Sequence, residues 1–193
     1  ESPELANRDI KGALGTNAYR AGAKVLSDIG LILENSLYFH QASELADFAR
    51  ALPDLPIVLN HIGGLVRVGP YANRDDEVLP AWRKGIEEMA KCPNIVLKLG
   101  GVGQTRFAYG WELREKPIGS EELAESLSPL MEHCIQQFGP DRCMFESNYP
   151  VDKISYSYNV LWNAFKRLSS GYSATERAAM FYGTAARVYN IDD

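Results

Sequence analysis

Cysteine is scarce in this 193-residue sequence, which contains only Cys92, Cys134 and Cys143. No two of them have CxxC spacing, so the patterns typical of zinc fingers and dithiol redox sites are absent. Their odd number also does not suit a framework of paired disulfides. We therefore predict three buried free thiols.

Blocks of basic residues and long apolar runs are also absent. The net charge is -5, and without a cluster of Lys or Arg there is no electrostatic footprint for nucleic acid or an anionic membrane. No apolar run approaches the ~18 residues of a membrane span, and the first residues show no signal-peptide pattern. We expect one soluble, cytoplasmic domain over residues 1–193 that takes a small-molecule substrate.

Apolar segments with helical and strand patterns alternate along the chain. Strands are predicted at 31–39, 55–61, 95–99 and 142–147, and helices at 17–29, 44–52, 82–92, 120–138, 158–168 and 173–189. Long loops are predicted at 65–80 and 102–119. This alternation indicates parallel βα units, in a (β/α) barrel or a doubly wound sheet. Because neither GxGxxG nor GxxxxGK[ST] occurs, the nucleotide-binding versions lack support.

Polar side chains stand at or near the ends of three successive predicted strands. They are His61, Lys98 and Asn148. Since the carboxyl ends of parallel strands meet at one edge of a sheet, this pattern favours a barrel with its site at that edge. In the last strand, side-chain alternation places Glu146 and Asn148 on the same face.

Four motifs in order carry a resemblance to a known family: LPIVLNHIGG (55–64), NIVLKLGGVG (94–103), FGPDRCMFESNYPVD (138–152) and TAARVYNI (184–191). They resemble the C-terminal half of the amidohydrolase-related family, which includes lactonases and decarboxylases. The resemblance implies an α/β fold of the (β/α) TIM-barrel type, like that of metal-dependent hydrolases. About four βα units of such a barrel are present.

The resemblance also implies roles for individual residues. His61 matches a histidine that binds substrate or metal in the family, Lys98 matches a lysine in the next strand, and Gln41 matches a glutamine at a strand exit. Asn148 stands where most members have a catalytic aspartate. The HxH or DxH pair of the family's first strand is absent, so we expect no tightly bound metal and no other cofactor.

From these residues we predict a hydrolase of a lactone or similar cyclic ester. His61 and Lys98 polarise the carbonyl group, Asn148 positions water or substrate, and Glu146 is the carboxylate that can serve as base. An amide cannot itself abstract a proton. A structural ion pair between Lys98 and Glu146 is an alternative for both residues.

Gln41, Lys98 and Tyr109 are the predicted substrate-binding residues. Tyr109 has loop packing as its alternative role. Two other functions stay open: a non-catalytic, anion-binding relative, and a metal-dependent decarboxylase. Loss of activity on mutation of His61 and measurement of metal content distinguish them.

Four strands cannot close a barrel that needs eight strands and about 250 residues. Because the sequence starts at Glu1, we expect an upstream segment with the missing strands, and pairing of two copies is the alternative. Strand 31–39 or 142–147 is then expected to have a bare edge. Leu59 or Phe145 is expected to be unusually exposed.

Overall fold

The computed structural model describes residues 12–191, and its frame is a sheet of four parallel strands. The strands are β1 (Leu33–Asn35), β2 (Ile57–Leu59), β3 (Ile95–Leu99) and β4 (Cys143–Phe145), and they lie in the order β1-β2-β3-β4. Each pair of neighbours is parallel, and each strand is joined to the next through a helix. This arrangement confirms the predicted partial (β/α) barrel.

The register assigns every strand residue to one of two sides of the sheet. Glu34 pairs with Val58 and Val58 with Val96, while Lys98 pairs with Met144. Because successive side chains alternate, these five residues share one side, which we call the polar side. The opposite side, which we call the helix side, consists of Leu33, Asn35, Ile57, Leu59, Ile95, Leu97, Leu99, Cys143 and Phe145.

Helices flank the sheet and cover its helix side. They are α1 (Asn17–Asp28), α2 (Ala42–Ala51), α3 (Asp75–Ala90), α4 (Ser120–Phe138), α5 (Tyr158–Leu168), α6 (Ala174–Ala178) and α7 (Thr184–Tyr189), the last two joined by a π-helical turn, Ala179–Gly183. The core between helices and sheet is apolar and includes Phe48, Leu59, Trp82, Ile86, Leu97, Leu127, Phe145 and Phe165. Burial of these side chains is the main stabilising contribution to the fold.

The polar side has a different cover. Val188 and Tyr189 of α7 pack against the small apolar group formed by Val58, Val96 and Met144. The C-terminal helix therefore lies over the side that carries Glu34 and Lys98.

The predicted strands are in the right places, but three of them are too long. Only β3 has the predicted bounds. The chain leaves the sheet after Asn35, Leu59 and Phe145, before the predicted ends of the other three strands. The predicted loop at 65–80 is also partly wrong, since α3 begins at Asp75 and contains Pro80. Asp75, Asp76 and Glu77 stabilise the first turn through the helix dipole, which makes the early start favourable.

The predicted bare edges are confirmed, but the predicted exposure is wrong. Within residues 12–191, β1 and β4 each pair with a strand on one side only. Leu59, however, is 0% exposed and Phe145 is 7% exposed. Both point to the helix side, where the helices cover them whether or not the sheet closes.

Two composition-based predictions can be compared with the structure. Cys92, Cys134 and Cys143 are free and buried, which confirms the prediction of three buried thiols. None of the helices within residues 12–191 has both the length and the apolarity needed to cross a bilayer.

Candidate active site

A left-handed turn follows β2 and holds His61. His61 has φ 54°, Ile62 has φ 47°, and Gly63 and Gly64 also have positive φ. Such φ values are costly for residues with a Cβ, so packing must hold them in place. Ile62 is fully buried and its carbonyl oxygen accepts a 2.8 Å hydrogen bond from Trp82 Nε1. Gly64 is obligatory, because a Cβ there would lie 1.7 Å from the carbonyl oxygen of Leu37.

This turn brings His61 to Glu146, which follows β4. The Nδ1 atom of His61 lies 2.5 Å from Oε1 of Glu146, and the two side chains are 16% and 14% exposed. An ionised carboxylate only accepts hydrogen bonds, so Nδ1 donates to it, and in the neutral imidazole Nε2 then keeps a lone pair. In the described chain Nε2 has no hydrogen-bond partner. The pair therefore has the geometry of a general base oriented by a carboxylate.

Two glycines after β3 make the close approach of this pair possible. A Cβ at Gly101 would lie 2.1 Å from Nδ1 of His61, and a Cβ at Gly100 would lie 2.4 Å from Cγ of Glu146. The turn from Gly100 to Gly103 thus lies directly against both side chains. A Gly-Gly pair after a strand is also typical of a simple tight turn, so the sequence alone does not reveal this role.

A second group of hydrogen bonds surrounds Asp152, which is fully buried. Its Oδ1 accepts from Nδ2 of Asn148 at 2.7 Å, and its Oδ2 accepts from the backbone N–H of Gly103 at 2.9 Å and from the hydroxyl of Tyr156 at 2.8 Å. Burial raises the pKa of Asp152, although these hydrogen bonds oppose the shift. Burial and the adjacent carboxylate also raise the pKa of Tyr156.

Asp152 was not among the predicted site residues. The signal was present, since Asp152 closes the same polar run as Asn148, four positions later. The sequence alone does not show whether Asp152 belongs to the site, because an aspartate shortly after Pro150 is also typical of a turn.

Lys98 binds a partner other than the predicted one. Its Nζ lies 3.0 Å from Oε2 of Glu34, across β2, and 5.6 Å from the centre of the Tyr189 ring. Glu34 Oε1 also accepts a 2.6 Å hydrogen bond from the hydroxyl of Tyr189. The ion pair between Lys98 and Glu146, given above as the alternative role of these residues, is wrong, because Lys98 pairs with Glu34 and Glu146 is bound to His61.

Burial and hydrogen bonding act in opposite directions on this second pair. Burial raises the pKa of Glu34, but hydrogen bonds from Tyr189 and Lys98 outweigh it and the net pKa is lowered. Burial lowers the pKa of Lys98, while its contacts with Tyr189 and Glu34 raise it on balance. Both groups are therefore held in their charged forms, and Lys98 is a neutralised cation.

Gln41 and Tyr109 have contacts typical of structural residues. The Oε1 atom of Gln41 accepts a 3.0 Å hydrogen bond from the backbone N–H of Tyr38. The ring of Tyr109 stacks on Trp111 with centroids 4.1 Å apart, and its hydroxyl donates to the Ser126 carbonyl oxygen at 3.3 Å. Substrate binding by Gln41 and Tyr109 stays a prediction.

The residues present do not form a metal site by themselves. Within the part of the chain that the structure describes, no three His, Cys, Asp or Glu side chains converge as metal ligands do. Nδ1 of His61 already binds Glu146, and both oxygens of Asp152 already accept hydrogen bonds. His61 Nε2 is one nitrogen donor, whereas a zinc site needs at least three protein ligands.

Comparison with known proteins gives a consistent family. A family model described as Amidohydrolase matches residues 13–191. A Sinorhizobium fredii protein called y4mH, itself uncharacterised, is 38% identical over 176 residues, covering 91% of this chain and 52% of its own length. An L-fucono-1,5-lactonase of Burkholderia multivorans is 31% identical over 157 residues, covering 76% of this chain and 50% of its own length.

A solved structure supports the fold. A crystal structure of a Burkholderia multivorans amidohydrolase with bound zinc superposes with a TM-score of 0.82 at 24% identity, covering 97% of this chain and 62% of that one. The present chain spans about half the length of the curated relatives it matches. These matches confirm the resemblance that the four motifs carry.

Proposed function

The chain belongs to the amidohydrolase family over residues 13–191, and we propose that its complete protein hydrolyses an uncharged, hydroxylated lactone. The observation that carries this proposal is the 2.5 Å contact between His61 and Glu146 at the carboxyl ends of β2 and β4. The 31% identity to an L-fucono-1,5-lactonase supports the choice of a lactone.

In this reaction His61 handles the proton. Its Nε2 takes a proton from water while the water oxygen attacks the lactone carbonyl carbon. Glu146, bound to Nδ1, stabilises the imidazolium that forms. When the ring C–O bond breaks, Nε2 returns the proton to the leaving oxygen, and the product is a hydroxy acid. Glu146 thus orients the base, whereas the sequence suggested that it is the base.

The charges around the site favour an uncharged substrate. The three polar groups described above contain the carboxylates Glu34, Glu146 and Asp152, and the ammonium of Lys98 is their one lysine cation. Lys98 is neutralised by Glu34, so it offers little attraction to a substrate anion. A lactone that carries hydroxyl groups instead of carboxylates avoids repulsion from the remaining negative charge.

Substitution of His61 in the complete gene product tests the proposal. We expect His61→Ala to lower kcat for L-fucono-1,5-lactone by at least about 100-fold, the usual range for loss of a general base. Glu146→Gln should lower it by about 10-fold or more, since the oriented imidazolium loses its counter-charge. His40→Ala is the matched control, because His40 is exposed and lies on a 3-10 turn outside this pair. Melting temperatures of all three variants should stay near that of the wild type.

The same assays separate the other candidate functions. A fully active His61→Ala variant would show that His61 has only a structural role. Release of CO2 from an aromatic acid, with no lactone turnover, would indicate a decarboxylase. Specific binding of a small anion without turnover would indicate a non-catalytic relative.

The partner we propose for this chain is the other half of a barrel. Within residues 12–191 the sheet has four strands with two edges lacking a strand partner, and the chain matches only about half the length of its curated relatives. A barrel of this type needs eight strands. Mass spectrometry of the denatured gene product gives the length of one chain, and light scattering gives the mass of the particle in solution. One chain per particle, clearly longer than 193 residues, supports an upstream half, and two 193-residue chains per particle support two copies.

A further inference from the structure

Asp152 is a buried carboxylate to which the reaction described above assigns no task. It lies in the short 3-10 turn Val151–Ile154 and is 0% exposed. Burial of a carboxylate is unfavourable unless donors satisfy it. Here three donors do so: the amide of Asn148, the backbone N–H of Gly103 and the hydroxyl of Tyr156.

The carboxylate determines which way the Asn148 amide points. A carboxylate accepts hydrogen bonds only, so the NH2 group of Asn148, and not its carbonyl oxygen, must face Asp152 at 2.7 Å. Oδ1 of Asn148 is then directed away from Asp152, and in the described residues it has no hydrogen-bond partner. The backbone of Asn148 has φ 52°, a left-handed conformation that asparagine tolerates better than most residues.

The same glycine turn connects this pair with the His61–Glu146 pair. A Cβ at Gly101 would meet His61, and a Cβ at Gly103 would lie 2.9 Å from Cβ of Asp152. Gly103 also receives a 2.6 Å hydrogen bond on its carbonyl oxygen from Ser155. The segment after β3 is therefore enclosed between the two pairs and fixes their relative position.

We propose that Asp152 is a positioning residue that locks the Asn148 side chain with its carbonyl oxygen toward the substrate, so that the site presents an acceptor to a substrate hydroxyl. This inference rests on the proposed lactone hydrolysis for its substrate, although the Asn148–Asp152 geometry does not depend on it. Asn148 contributes recognition at a place where an aspartate would add a further negative charge.

Asp152→Asn removes the lock with little change in shape. Two facing amides allow the Asn148 side chain to turn over, so its carbonyl oxygen is no longer held toward the substrate. We expect KM for L-fucono-1,5-lactone to rise about tenfold, the equivalent of one hydrogen bond, with kcat changed much less. The swapped double variant Asn148→Asp with Asp152→Asn restores the donor–acceptor pair with its polarity reversed. It keeps an acceptor toward the substrate, so it should recover most of the lost affinity.

Asn148→Ala supplies the test of coupling. If Asp152 acts through Asn148, adding Asp152→Asn to Asn148→Ala should leave KM unchanged, because the group being positioned is already gone. A tenfold rise of KM in both backgrounds would overturn the proposal and leave Asp152 a purely structural role.

A readout without substrate separates this inference from the proposed function. In NMR spectra of the complete protein, the side-chain NH2 of Asn148, assigned by its absence in Asn148→Ala, should show one proton shifted downfield and protected from exchange. Asp152→Asn should abolish that shift. Two protons at the ordinary shifts of a solvent-exposed side-chain amide, both exchanging freely, would overturn the inference even if Asp152→Asn does not fold. If the NMR result holds but no lactone is hydrolysed, only the proposed function fails.

Discussion

The two sides of the β-sheet are built from the same strands but have different roles. On the helix side Ile57, Leu59 and Leu97 are fully buried members of the apolar core. On the polar side Glu34 and Lys98 form an ion pair, and the chain beyond the strands adds His61 and Glu146. The helix side stabilises the sheet, and the polar side with the adjoining turns carries the chemistry.

This difference determines how each side responds to change. The helix side tolerates only side chains of similar volume, because its packing is already dense. The polar side depends instead on the directions of a few hydrogen bonds and on glycines that leave room for them. Four substitutions test the division, and we describe them from the largest expected effect to the smallest.

Gly101→Ala should cause the largest combined loss. A Cβ there would lie 2.1 Å from His61 Nδ1 at a φ of +66°. We expect activity to fall more than about tenfold and stability to fall by about 2–4 kcal/mol, from strain and overpacking together. Gly110→Ala is the matched control, since Gly110 has φ +69° but nothing within 4 Å of the added Cβ. Equal activity losses in the two variants would show that backbone strain, and not contact with His61, is responsible.

Leu97→Ala should reduce stability without touching the chemistry. Leu97 is 0% exposed in the central strand β3 and lies on the helix side. Its truncation should cost about 2–5 kcal/mol, measured by urea denaturation, while the protein that remains folded keeps its kcat. Val96→Ala, on the polar side of the same strand, should cost less because fewer atoms are removed. A larger loss for Val96→Ala would contradict the conclusion that the helix side contributes most to stability.

The helix side could be predicted from the sequence, and most of the site could not. Apolar runs such as Ile95–Leu99 identify a buried strand by composition alone. Strand exits are likewise visible, which is why His61, Lys98 and Asn148 were predicted at the carboxyl ends of neighbouring strands. Which of these side chains contact one another could not be predicted, because the contacts depend on φ values and on distances between residues far apart in sequence. His61 and Glu146 are 85 positions apart, and no local pattern connects them.

Lys98 illustrates the same limit. Strand alternation places it on the polar side, but both Glu146 and Glu34 were within reach of a long side chain. The register of the strands decides between them. Lys98 pairs with Met144, so Glu146 lies two residues further along β4, beyond the strand end, where His61 binds it. Tyr189, from the end of the described chain, completes the pair with Glu34.

Lys98→Met tests whether this lysine is a neutralised structural cation. Its side chain is 16% exposed, and its loss leaves Glu34 with hydrogen bonds from Tyr189 and Asn60. We expect stability to fall by about 1 kcal/mol with KM for an uncharged lactone unchanged. Lys24→Met, which breaks an exposed ion pair with Asp28, is the control and should have no measurable effect. A large rise in KM for Lys98→Met alone would restore the predicted role of Lys98 in substrate binding.

The smallest expected effect is the pH dependence that Glu34 contributes to stability. Its pKa in the folded chain is lowered from 4.5, so between the two values the unfolded state binds more protons than the folded state. Stability from this group is therefore fully present above pH 4.5 and is lost as pH falls through the folded pKa. Since the side chain is 40% exposed, solvent screening keeps the contribution below about 1 kcal/mol.

The difference in unfolding free energy between the wild type and Glu34→Gln isolates this contribution from that of other acids. Asp152 has a raised pKa, so its charged form is disfavoured in the fold and its own contribution falls as pH rises, which is the opposite sign. Both proteins contain Asp152, so its contribution to the unfolding free energy cancels in the difference. The difference should be constant near neutral pH and should shrink below pH 4.5. In a Tyr189→Phe background, which lacks the hydroxyl donor to Glu34, it should be smaller at every pH. A difference that grows on acidification would mean that Lys98 and Tyr189 do not hold Glu34 in its charged form.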